Sequence, residues 1–291
     1  MPCPYLSADA RVTMHIWDFT LIIWVGSVAA GLLGALTGLG GGVVIVPMLA
    51  LGFGVDIHYA IGASLVSVIA TSSGAAVAYV REGFSNIRVG MLLEIATTLG
   101  ATGGALLAAI VAARWIAFIF GAVLILSVYS SVKGPAPDKD GAPPDRLATR
   151  LRLDGHYPAR DGRRAYHVRN VPIGFGLMGV AGVLSGLLGI GSGALKVLAM
   201  DQAMRLPFKV STTTSNFMIG VTAAASAGIY LNRGYIDPGL AMPTMLGVLA
   251  GSLTGARLLA RMRTPVLRWV FGALILALGI EMIVNAMSGR L

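Results

Sequence analysis

Apolar residues run in long blocks along this chain, near 19–37, 60–80, 89–112, 115–132, 171–190, 211–231, 238–256 and 266–285. At about 1.5 Å of rise per residue, some 20 apolar residues carry a helix across about 30 Å of hydrocarbon. In lipid, a helix is one of two structures that satisfy their own backbone polar groups, so the blocks predict membrane-spanning helices. Two shorter apolar segments, 43–53 and 194–200, each follow a glycine-rich stretch and are too short to cross alone. Residues 1–18 are mixed polar, and the first apolar run lacks the basic start and small-residue cleavage site of a signal peptide.

The pattern repeats. AGLLGALTGLGGG at 30–42 aligns with AGVLSGLLGIGSG at 181–193, pairing Gly31 with Gly182, Gly38 with Gly189, Gly40 with Gly191 and Gly42 with Gly193 at an offset of 151. The same offset pairs Ser64 with Ser215, Tyr79 with Tyr230, Gly83 with Gly234, Gly100 with Gly251, Gly104 with Gly255 and Gly121 with Gly272. A fixed offset over this length, without a gap, marks a duplication.

Between the copies, 133–170 changes character. It is first rich in Pro and charge, then alternates apolar and polar residues around Asp161-Gly162. That alternation about Asp-Gly predicts a small β-hairpin. The chain is thus expected to comprise an N-terminal segment 1–18, a first transmembrane repeat 19–132, a cytoplasmic linker 133–170 and a second transmembrane repeat 171–288.

Composition agrees with lipid as the solvent. Of 291 residues, 56% are hydrophobic and 12% charged, with a mean hydropathy of +0.78, whereas soluble domains are about 25% charged. The net charge of +9 comes from basic residues in loops beside apolar spans, so it points to membrane orientation and not to nucleic acid. If each glycine-rich segment crosses once, Lys and Arg divide 14 inside to 7 outside. If each instead enters and returns on one side, they divide 17 to 4. The second arrangement obeys the positive-inside rule better and makes the copies opposite in orientation, as in many secondary transporters. The expected fold is therefore all-α: a polytopic membrane protein of two inverted repeats, with glycine-rich broken helical hairpins.

The chemistry on offer is narrow. Cys3 is the single cysteine, and His15, His58, His156 and His167 are scattered, which leaves no disulfide framework, metal site or haem site to expect. No nucleophile with its base and no nucleotide loop is evident, so neither catalysis nor a cofactor is expected. Gly38, Gly40, Gly41 and Gly42, with Gly189, Gly191, Ser192 and Gly193, suit a chain reversal whose backbone N–H groups face an anion. Gly31, Gly34, Gly100, Gly104, Gly251 and Gly255 suit close helix packing instead. Ser64, Thr214, Ser215 and Asn216 follow the breaks and carry oxyanion-binding groups; the bland alternative is hydroxyls bonded back to their own helices.

Ionisable residues inside spans are expensive and mark function by default. Lys196, just past the second break, either supplies positive charge to an anionic substrate or snorkels to the interface. Glu94 faces Met245 at the repeat offset. It is the candidate for proton coupling, against a carboxylate near the surface paired with Arg88. Glu281 lies near a helix end and reads as interfacial.

With AGLLGALTGLGGGVVIVPML, AIGASLVSV and GLLGIGSGALKV in place, both halves of the chain resemble the sulfite exporter TauE/SafE family of membrane permeases. The resemblance implies a multi-pass protein of the bacterial inner membrane that exports sulfite or related organosulfur anions, with the anion and the lipid bilayer as its partners. It says nothing of oligomeric state. The rival expectation is an integral-membrane scaffold or accessory subunit, in which the glycines serve packing alone.

Overall fold

The computed structural model describes residues 16–37, 41–81, 85–133, 145–159, 162–191, 193–259 and 264–288. Gly38, Gly40 and Ser192, three of the expected binding positions, lie outside the described residues. The first repeat comprises α1 (Ile16–Thr37), α2 (Gly42–Pro47) running into a π-helical turn (Met48–Gly52), α3 (Ile57–Arg81), α4 (Ile87–Leu107) and α5 (Ala113–Lys133). A linker follows with α6 (Arg146–Arg150), β1 (Gly155–Ala159) and β2 (Gly162–Tyr166). The second repeat holds α7 (Val171–Leu188), α8 (Gly193–Leu198) with its own π-helical turn (Ala199–Ala203), α9 (Phe208–Asn232), α10 (Pro238–Leu259) and α11 (Thr264–Ser288). The chain is a helical membrane protein with a single two-stranded sheet among its described residues.

The structural boundaries keep the sequence offset. α2 and α8, their π-helical turns, and α3 and α9 correspond at both ends; α4 with α10 and α5 with α11 correspond at their starts. The packing is reciprocal as well, since α1 lies along α10 while α7 lies along α4. A Cβ on Gly31 would overlap the Val248 carbonyl, and one on Gly182 would overlap the Thr97 carbonyl, which is the repeat equivalent. Likewise Gly251 meets the Val28 carbonyl and Gly100 the Gly179 carbonyl. Only glycine lets two helix backbones approach this closely, and in lipid such approach is a main source of helix association.

In both repeats the short arm after the glycine-rich segment packs back against the helix before it. In the first repeat Phe19 packs edge-on against Phe53, ring centroids 5.5 Å apart, and a Cβ on Gly26 would come within 2.6 Å of Met48 Sδ. In the second, the Arg169 N–H donates to the Met204 carbonyl at 3.1 Å and Asn170 Nδ2 donates to Ala203 O at 3.1 Å. The end of each short arm thus returns beside the start of the long helix before it. Residue 121 of α5 meets 279 and 283 of α11, while 128 meets 272, so these two repeat-equivalent helices run in opposite directions.

Asn86 joins the linker to both repeats. Asn86 caps α4 by accepting from the Val89 N–H at 3.1 Å, and its Nδ2 donates to Leu153 O and to the Tyr166 hydroxyl, both at 2.8 Å. Its own N–H donates to Thr214 Oγ1 in α9 at 3.0 Å. β1 and β2 pair antiparallel, with Gly155 opposite Tyr166. Asp145 caps α6 and α7 at once, accepting from Leu147 N–H at 3.0 Å and Val171 N–H at 3.1 Å.

Candidate functional site

The two breaks meet where α3 crosses α9. Gly189 ends α7 in the left-handed region at φ +67°, and Gly191 follows at φ +69°, conformations that cost an L-residue with a side chain about 1–2 kcal/mol. The Ser64 hydroxyl, from the first repeat, donates to the Gly189 carbonyl of the second at 2.8 Å. A Cβ on Gly42 would stand 2.6 Å from Ser64 Oγ and 3.2 Å from Gly189 O. One on Gly191 would stand 2.6 Å from Ile219 Cγ2 and 3.1 Å from Val68 Cγ1. Gly41 lies against Val248 of α10. Gly41, Gly42, Ser64, Gly189 and Gly191 therefore share one packed junction between the repeats.

The hydroxyl run of α9 divides its labour. Ser215 donates to the Gly193 carbonyl at 3.2 Å, fixing the first turn of α8. Thr214 accepts from Asn86 and so holds the α3–α4 connection to α9. Asn216 is buried beside them. The hydroxyl protons of Ser64 and Ser215 are committed to break carbonyls, so these residues shape the junction.

The ionisable residues expected to act separately stand together. Lys196 is wholly buried, which excludes snorkelling. Its Nζ donates to Thr222 Oγ1 at 2.5 Å and lies 4.0 Å from Glu94 Oε2. Thr222 in turn bonds Glu94 Oε1 at 2.6 Å, and Thr98 donates to the same oxygen at 3.1 Å. Glu94 comes from α4 of the first repeat, Lys196 and Thr222 from α8 and α9 of the second. Arg88, the alternative partner for Glu94, instead donates to the Arg152 carbonyl at 3.1 Å. Glu281 is exposed near the end of α11.

Sequence reasoning missed Thr222 and the pairing itself. A lone acid and a lone base, each buried in apolar helices of a different repeat, was the available signal, because buried charges are found paired. With both groups ionised, the pair is neutral.

Comparison with known proteins places the chain in a family. The model of the family described as sulfite exporter TauE/SafE matches residues 23–282. The chain is 27% identical over 274 residues to the probable membrane transporter protein YunE of Bacillus subtilis (strain 168), covering 91% of this chain and 97% of that one. A probable membrane transporter protein of Xylella fastidiosa (strain 9a5c) is 27% identical over 270 residues, covering 91% and 95%. No solved structure gives a significant match. The chain belongs to the sulfite exporter TauE/SafE family of membrane transporters.

Proposed function

We propose that this protein is a secondary transporter of the bacterial inner membrane that exports a small anion, sulfite or an organosulfonate, by alternating access between two inverted repeats. The observation that carries this reading is the meeting of the two glycine breaks at one buried junction, with Ser64 of one repeat bonded to Gly189 of the other. Irregular backbone at membrane depth is tolerated only inside protein or beside a watery cavity, and in transporters it forms the substrate site. Gly38, Gly40, Gly41, Gly42, Gly189, Gly191, Ser192 and Gly193 would supply the N–H groups, and Lys196 the positive charge. Ser64, Thr214, Ser215 and Asn216 would hold the junction in shape.

Two features support the inverted arrangement: the opposed directions of α5 and α11, and the distribution of Lys and Arg over the loops. The packing-only alternative accounts for Gly31, Gly100, Gly182 and Gly251, each of which lies against a backbone carbonyl. It gives no reason for left-handed glycines at both Gly189 and Gly191, on either side of Ile190.

Thermal unfolding of the purified protein, measured against sulfite, sulfate, sulfoacetate, thiosulfate and simple carboxylates, tests the substrate class. A ligand at a hundred times its Kd stabilises the folded state by about 2.7 kcal/mol. At least one sulfur oxyanion is expected to raise the melting temperature, with carboxylates weaker. A flat response to the whole panel would overturn the anion assignment.

A further inference from the structure

The cluster of Glu94, Thr222 and Lys196 occurs once although its scaffold occurs twice. At the repeat offset, the corresponding residues are Met245, Thr71 and Ile45. Ile45 is fully buried, and the Thr71 hydroxyl turns back to Ser67 O and Val68 O, each at 3.1 Å. The fold therefore fills this position with apolar side chains in one copy and with an ion pair in the other. Packing does not require the charges. Desolvating a buried pair costs several kcal/mol per ion, so its presence in one copy alone calls for a function.

We propose that this site couples each anion to one proton: the Lys196 ammonium is the counter-charge of the transported anion, and Glu94 is its internal substitute when no anion is bound. The proposal rests on the transporter reading above. With Glu94 ionised and Lys196 charged, the empty site is neutral. An anion arriving at Lys196 adds negative charge to a site already balanced by Glu94, at low dielectric where that repulsion is strong. A proton taken from the aqueous side by the Glu94 carboxylate removes that charge and frees the ammonium for the anion. When the anion leaves, the carboxyl returns its proton to water and pairs with Lys196 again.

The geometry names the atom. Among the described residues Glu94 Oε2 is buried without a hydrogen-bond partner, 4.0 Å from Lys196 Nζ. Oε1 already holds Thr222 and Thr98. Protonation at Oε2 leaves Oε1 as a carbonyl oxygen that still accepts both hydroxyls, so the cluster keeps its shape and only the hold on Lys196 is released. The surrounding elements add few other charges. α7 carries no ionisable side chain. Lys209 is exposed at the start of α9, and Arg233 at its end reaches the Ala105 carbonyl at 3.5 Å. Arg114 opens α5 beside Trp115. Asp201 is buried in the turn after α8 with interactions of its own.

The test is anion affinity against pH, read by thermal shift in detergent with sulfate, sulfoacetate and thiosulfate. These stay ionised through neutral pH, so the protein alone titrates. Wild-type affinity is expected to fall about tenfold per pH unit once the carboxyl loses its proton, the linkage for one proton bound with each anion. Glu94→Gln, which resembles the protonated acid, is expected to bind at the acid-limit affinity at every pH. The double variant E94M/K196I, copying the residues of the other repeat, is expected to stay folded and to lose anion binding. Wild-type affinity that ignores pH, or E94Q behaving as wild type, would overturn the coupling while leaving the transporter reading intact; so would an E94M/K196I protein that binds anion normally. Failure of the wild type to bind any of the three anions, or sulfite at a fixed pH, would bring down the transporter reading and this inference with it.

Discussion

Lys196→Met is expected to destabilise the protein by about 3–5 kcal/mol, because it leaves the Glu94 carboxylate buried without its counter-charge. Lys196 is wholly buried and Glu94 nearly so. The loss should be recovered when the partner is removed as well. In E94M/K196I both positions take the apolar residues that the other repeat uses at Met245 and Ile45. Replacing a whole buried pair by well-packed apolar groups is often neutral or stabilising. Melting temperatures of the wild type, the two single variants and the double variant in one detergent form a double-mutant cycle, and the coupling should be large and favourable. Additive effects would mean that the two charges do not sense one another and that their 4.0 Å separation carries no energy.

Gly31→Leu and Gly182→Leu are expected to abolish folded protein, each beyond the about 1–3 kcal/mol of ordinary overpacking. A Cβ at Gly31 overlaps the backbone of Val248, and one at Gly182 the backbone of Thr97. Backbone cannot rotate aside as a side chain can. α1 would have to part from α10, and α7 from α4. Gly176 and Gly228 provide the controls, since a Cβ at either has nothing within 4 Å. Gly176→Leu and Gly228→Leu should express and remain monodisperse on size-exclusion chromatography. Equal yields for all four variants would remove close backbone packing from the account of how the repeats associate.

How far the sequence anticipates this structure depends on the kind of contact. Helix extents follow from local hydropathy, and the blocks at 211–231 and 238–256 fall within α9 (Phe208–Asn232) and α10 (Pro238–Leu259). The glycine reversals are legible because tight clusters such as Gly189-Ile-Gly191 have few other uses inside a membrane. The packing glycines Gly31, Gly100 and Gly251 are legible from their place on long helices, whereas Gly42, read as part of a reversal, lies within α2 and packs against Ser64. Side-chain encounters between repeats are a different matter. Ser64 reads as an anion ligand from its place after the break, yet its partner is the Gly189 carbonyl, 125 residues away. Glu94 and Lys196 meet because α4 lies along α9 and α8 packs on α9. Neither contact leaves a periodic trace in the chain. Asn86 is hidden for the same reason: nothing local in the sequence marks a loop asparagine that joins α4, α9 and the linker hairpin.

The central claim is that the junction of the two breaks is an alternating-access site for a small anion. Counterflow in proteoliposomes tests it directly, with labelled sulfite outside and unlabelled sulfite, sulfoacetate or thiosulfate trapped within. The account predicts transient, saturable accumulation of label that depends on the trapped anion and disappears in Gly42→Val, where a side chain would displace the Ser64 hydroxyl from the Gly189 carbonyl. Label that only equilibrates, without saturation and regardless of what is trapped, would contradict alternating access and indicate a passive pore.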